Sequence, residues 1–188
     1  MAKPAQTRQH WTSRWSTAFH TAAANAGASL NDLPNSVPDA YFDFLRGVNP
    51  QEPGVEHRLT HEQMFEAAGI LARQALGEDF VPRDFTLTKA REALARKRWK
   101  GPERADPIER LIQNGVLTSR YAGGDTLLRF ALDPVAEFLA ATAWDNDCGD
   151  DPKEWQKLMQ KVLQKGKPAD GFATAVRLTR LRRGKPVK

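Results

Sequence analysis

RFALDPVAEFLAA, residues Arg129 to Ala141, is the stretch whose reading decides the fold. A strand-like apolar run meets Asp133-Pro134 and turns into an amphipathic helix. Asp133 is placed to act as the N-cap, its side chain accepting from the first unpaired N–H groups of the helix. Pro134 suits the first helical position, where its missing donor costs nothing. Glu137 then falls in the first turn, where the helix dipole favours negative charge. Val135, Phe138, Leu139 and Thr142 recur at three- and four-residue spacing, the pattern of a core-facing stripe. Taken alone, the segment is a capped helix buried against a hairpin.

Upstream, VLTSRY (116–121) and TLLRFAL (126–132) flank Gly123-Gly124, two β-rich runs joined by a glycine turn. Three helical patterns precede them. Thr60 caps a helix running to about Leu76 with Gly77 as its stop, buried through Phe65, Ala68, Leu71, Ala72 and Ala75. A second runs from Thr86 to about Arg98 and buries Leu87, Ala90 and Leu94. A third, opened by Asp106-Pro107, passes through Ile108, Leu111 and Ile112 to Asn114-Gly115. Three helices followed by a hairpin is the order of a winged-helix domain.

Downstream, the acidic run DNDCGDD (145–151) reads as a polar linker to a helix opened by Asp151-Pro152. A final helix, GFATAVRLTRLRR (171–183), buries Phe172, Val176 and Leu178. Near the N-terminus, Trp11, Trp15 and Phe19 form a helical apolar stripe, a candidate protein-docking surface within the chain or between chains. Prolines 34, 38, 50 and 53 bracket a short helix from Asp39 to about Gly47. The expected fold is mainly α: a helical bundle with a winged-helix domain (three helices plus a β-hairpin wing) and further helices after it. The expected divisions are an N-terminal helical segment over 1–55, the winged-helix-like domain over 56–145, and C-terminal helices with a basic tail over 146–188.

Charge is uneven along the 188 residues, whose formal net charge is +5 and whose pI is about 9.5. Residues 133–151 carry six acids and no base, whereas the stretches on either side, 83–104 and 153–188, are strongly basic. The acids can pair with those basic ends, or the basic surface can attract nucleic acid or an acidic partner. No apolar run is long enough to span a bilayer. The first residues lack the apolar stretch of a secretory signal, and the expected address is cytoplasmic. The lone Cys148 sits among aspartates that disfavour a thiolate.

Chemistry-bearing motifs are scarce. The chain has no GxxxxGK[ST] phosphate loop and no GxGxxG fingerprint. His61-Glu62 lacks the second histidine of a zinc-protease helix, and no serine sits in a nucleophile elbow. The expectation is a chain that is not an enzyme by itself, with no cofactor and no metal.

RFALDPVAEFLAA resembles the segment that closes the winged-helix domain of NACHT-type STAND P-loop NTPases. Phe130, Asp133, Glu137, Phe138, Leu139, Ala140 and Ala141 carry the likeness. LIQNGVLTSR (111–120) is similar to that family's entry into the wing, and LPNSVPDAYFDFLR (33–46) to the start of its small helical domain. The resemblance implies the regulatory half of a switch, packing on an ATPase core in cis or in trans. Family members often place a His where Asp133 stands here. The alternative reading is a nucleic-acid-binding winged helix. It would use the basic surface of Arg96, Lys97, Arg98, Trp99 and Lys100, with Arg110 on the third helix and Arg120 on the wing.

Overall fold

Thr60 opens helix α1 (His61–Leu76) with both halves of a capping box. Its hydroxyl accepts from the Gln63 N–H at 3.1 Å, and the Gln63 side-chain oxygen accepts from the Thr60 N–H at 2.9 Å. The helix stops at Gly77, whose N–H donates to the Arg73 carbonyl. The computed structural model describes residues 43, 46–47, 59–101 and 106–182. Trp11, Trp15 and Phe19, and most of the short Asp39–Gly47 helix, lie outside the described residues. Asp43, Arg46 and Gly47 are helical and exposed, with Arg46 pairing to Asp43 at 3.2 Å.

A two-residue strand, β1 (Phe85–Thr86), follows α1 and leads into α2 (Leu87–Arg96). Thr86 serves twice, as strand end and as N-cap, its hydroxyl accepting from the Lys89 N–H. Next come α3 (Pro107–Gln113), β2 (Leu117–Ala122) and β3 (Asp125–Phe130). Asp106 caps α3, accepting from the N–H of Ile108 at 2.8 Å. The strands form an antiparallel sheet in the order β1-β3-β2, with Phe85 opposite Leu128 and Leu117 opposite Phe130. Gly123 and Gly124 form the two-residue turn between β2 and β3, with φ of +62° and +84°. Two successive left-handed residues match the twist of a tight hairpin, and glycine adopts them without steric cost.

The run that follows becomes α4 (Asp133–Cys148), the element against which the rest is built. Val135, Phe138 and Leu139 are buried as expected, and the half-buried Thr142 donates its hydroxyl to the Phe138 carbonyl. Asp133 is not the N-cap. The cap position falls on Leu132, without a side-chain bond, and the Asp133 carboxylate accepts from Arg129 instead. A charged donor four residues earlier, near the end of β3, outcompetes the helix N–H groups. α4 also runs farther than the sequence suggests: Asp145 to Cys148 form its last turn and Gly149 is its stop. The acidic run is therefore mostly helix.

Asp151 caps α5 (Pro152–Lys165), and α6 (Asp170–Arg182) follows a 3-10 turn over Lys167–Ala169. α6 packs on α4 through Phe172, Ala173, Ala175 and Val176, while Leu178 is half-buried. On its other side α4 meets α1 through small residues: a Cβ at Gly69 would lie 3.0 Å from the Ala143 Cβ. That close approach buries Ala67, Ala68 and Ala72 against Ala136, Ala140 and Ala141. The core between helices and sheet holds Met64, Leu71, Leu111, Leu128, Phe130 and Leu139, each almost fully buried. Burial of side chains this size contributes roughly 1.5–3 kcal/mol apiece. Every described residue falls within one compact unit, mainly helical with a small three-stranded sheet. Among the described residues no helix is long and apolar enough to cross a membrane.

Candidate functional site

The acids of the 133–151 stretch meet the basic segments that flank it. Asp147 accepts from Lys97 at 2.7 Å and from Arg73. Those two cations hold its carboxyl below the usual range, against the opposing effect of burial. Asp145, fully buried, pairs with Arg180 of α6 at 3.1 Å, and Arg180 also donates to the Gly149 carbonyl. The Arg180 guanidinium lies over the Trp155 ring, 4.7 Å from its centroid, and the Trp155 indole N–H reaches the Gly149 carbonyl at 2.9 Å. One charge pair thereby joins α4, α5 and α6.

On the sheet, Asp84 bridges Arg120 at 2.6 Å and Arg129 at 3.2 Å. The hydrogen bond from Arg120, more than any other influence, draws the Asp84 carboxyl below its ordinary value. Arg129 also reaches Asp133 at 3.1 Å, so the strands and the start of α4 share an ion chain.

The residues expected to contact nucleic acid are distributed over different surroundings. Arg120 is engaged by Asp84, and Arg110 is half-buried on α3, whose exposed neighbours are Asp106, Glu109 and Gln113. Trp99 is half-buried against the core and donates its indole N–H to the Gln63 carbonyl at 3.1 Å. A Cβ at Gly101 would overlap its ring, so Trp99 is covered by backbone on that side. A base cannot use it as an open stacking platform. Arg98 and Lys100 are exposed. Arg96 donates to Gln74 at 3.1 Å, and it lines, together with Lys97, the groove described next.

That groove has two lobes meeting at Trp144. One, about 500 Å³, lies between α1 and α2 and is lined by Ile70, Gln74, Ala93, Arg96 and Lys97. The other, about 720 Å³, lies between α1, α4 and α5 and is lined by Phe80, Asp147, Cys148, Lys157, Leu158 and Lys161, among others. Arg73, Gly77 and Trp144 border both. The Trp144 ring rests on Phe172 and Phe80, with centroids 5.1 and 5.7 Å away, and carries the Arg73 guanidinium 4.3 Å from its own centroid. The Cys148 thiol on this wall is pushed up from its ordinary value, by burial first and by Asp147 next. It is a poor nucleophile in that state.

The sequence reading did not assemble this groove, because Arg73, Trp144 and Lys157 come from three separate helices. One signal was visible in the sequence: Lys153, Lys157, Lys161 and Lys165 recur every fourth residue. That spacing aligns them in one row along α5.

Glu137 forms a second unusual spot. Its half-buried carboxyl lies against the bare Cα of Gly171 on α6, where a Cβ would overlap it. Burial, with Asp133 adding repulsion, raises it to about 7. Among the described residues, no three His, Cys, Asp or Glu side chains gather as a metal site. Comparison with protein-family models, with curated proteins and with solved structures found no match to this chain.

Proposed function

We propose that the chain is a non-catalytic regulatory and interaction module, acting through protein contacts as the helical and winged-helix part of a NACHT-type signalling ATPase does. The observation that carries the reading is the junction of β3 and α4. The RFALDPVAEFLAA segment leaves the hairpin and becomes the helix on which both α1 and α6 pack. Helix, short strand, two helices and a hairpin, with β1 on the free edge of β3, also support a winged-helix arrangement for residues 61–130. The chain has no phosphate loop of its own, so the nucleotide chemistry of such a switch would come from an ATPase core in cis or in trans.

The nucleic-acid reading draws less support. A groove-reading third helix needs donors, yet two of the three exposed polar residues at α3, the cap Asp106 and Glu109, are acids beside Gln113. Co-expression of the full chain with a NACHT-type P-loop ATPase core supplied in trans tests the proposal. Co-elution in size-exclusion chromatography and an altered ATP hydrolysis rate are expected; separate elution with an unchanged rate overturns it.

A further inference from the structure

We propose that the groove at Trp144 docks an acidic helical peptide carrying an apolar anchor. The inference rests on the interaction-module reading but not on the likeness to signalling ATPases. Across the two lobes the cations are Arg73, Arg96, Lys97, Lys157, Lys161 and Lys165, against the acids Glu78, Asp147 and Glu154. The internal pairs leave a surplus of positive charge. Asp147 is shared by Arg73 and Lys97, Glu154 takes Lys157 at 2.6 Å, and Asp79 outside the lining takes Lys165 at 3.3 Å. Lys161 pairs with no acid among the described residues.

Spacing supplies the second argument. The lysine row of α5 repeats at four residues, placing successive Cβ atoms roughly 6 Å apart. Carboxylates at i and i+4 of a partner helix repeat at the same interval, so the two rows match in register. Beneath the rim, Phe80, Trp144 and Leu158 offer an apolar floor that a leucine or phenylalanine anchor can reach. Buried anchors ringed by polar contacts are the usual organisation of such sites.

The same geometry disfavours a nucleic-acid strand. Base recognition on a single strand needs an open aromatic face. Trp144 has none, since Arg73, Phe80 and Phe172 occupy its surroundings. The three lining acids also interrupt the field that a continuous phosphate chain requires.

The test uses the full chain and three fluorescein-labelled probes in anisotropy titrations. They are a helical Glu/Leu peptide with Glu at i and i+4, the same peptide with Gln for Glu, and a single-stranded oligonucleotide of matching length. The acidic peptide is expected to bind and to weaken as salt rises. Lys161→Glu, at an exposed position with no acid partner among the described residues, should weaken it about tenfold with an unchanged circular dichroism spectrum. Lys153→Glu, in the same row but outside the groove lining, should weaken it less. Failure of the acidic peptide to bind, or equal binding of the Gln peptide, overturns the proposal. Tighter binding of the oligonucleotide, lost in Lys161→Glu, overturns it in favour of nucleic acid. Co-elution with the ATPase despite a silent groove would remove this inference and leave the interaction-module reading standing; loss of both removes both.

Discussion

Glu137 sits where α4 meets α6, its carboxyl pressed against Gly171 and its charge opposed by both burial and Asp133. Its value is raised in the folded chain from 4.5 to about 7. The protonated form is therefore favoured by folding. The stability this contributes is fully present below about pH 4.5 and is lost as pH rises toward 7, where the folded carboxyl must ionise as well. Glu137→Gln removes the ionisation while keeping the shape. The variant should be more stable than the parent at pH 8, by on the order of 1 kcal/mol after discounting for partial exposure, and equally stable at pH 4. Thermal melts at the two pH values decide it, and an equal effect at both would place the cause in packing rather than charge. In the sequence this residue reads only as a first-turn acid favoured by the helix dipole. Gly171 lies 34 positions later, and nothing local announces that it will close over the carboxyl.

Among the elements, the hairpin depends on its turn. Gly123 and Gly124 both hold left-handed φ, and the tip is tied to α2 by the Thr88 hydroxyl donating to Asp125 at 3.1 Å. Gly123→Val should cost about 1–2 kcal/mol, because a β-branched residue resists positive φ. Gly123→Asn, which tolerates that region, should cost clearly less; parallel melts of the two variants check the order. Elements with strong local chemistry were legible in the sequence: the Thr60 capping box, the Asp106-Pro107 and Asp151-Pro152 starts, and the Gly-Gly turn each carry their own signal. β1 was not, since two residues pair with β3 for reasons of topology rather than pattern. Asp133 was misassigned because Arg129 competes for it across a strand end. The groove was the least legible part, being assembled from residues of α1, α2, α4 and α5 that tertiary packing alone brings together.

At the scale of the whole molecule, Asp145 and Arg180 hold the C-terminal helices to the rest. Asp145 is fully buried and Arg180 is 11 % exposed, so removing Asp145 leaves a largely buried guanidinium with the more distant, exposed Asp150 at 3.8 Å. Asp145→Ala should cost about 3–5 kcal/mol, whereas Asp145→Leu combined with Arg180→Met should recover most of the loss. Chemical denaturation of the single and double variants measures the difference. An additive double variant would show that the pair is not what couples these helices. Arg180 of the last helix and Asp145 of the acidic run, which look like members of opposed surface patches in the sequence, are here part of the inside of the molecule.

Trp144 has a consequence in time as well as in space. Its ring forms the groove floor, and beneath it lies Phe172 of α6, the last helix among those described. During synthesis the helices appear in chain order, so the floor of the groove is laid only after every other wall has emerged. A partner that grips this surface therefore meets chains in which α6 has docked and passes over those in which it has not, so the docking of α6 becomes the step that makes the chain recognisable.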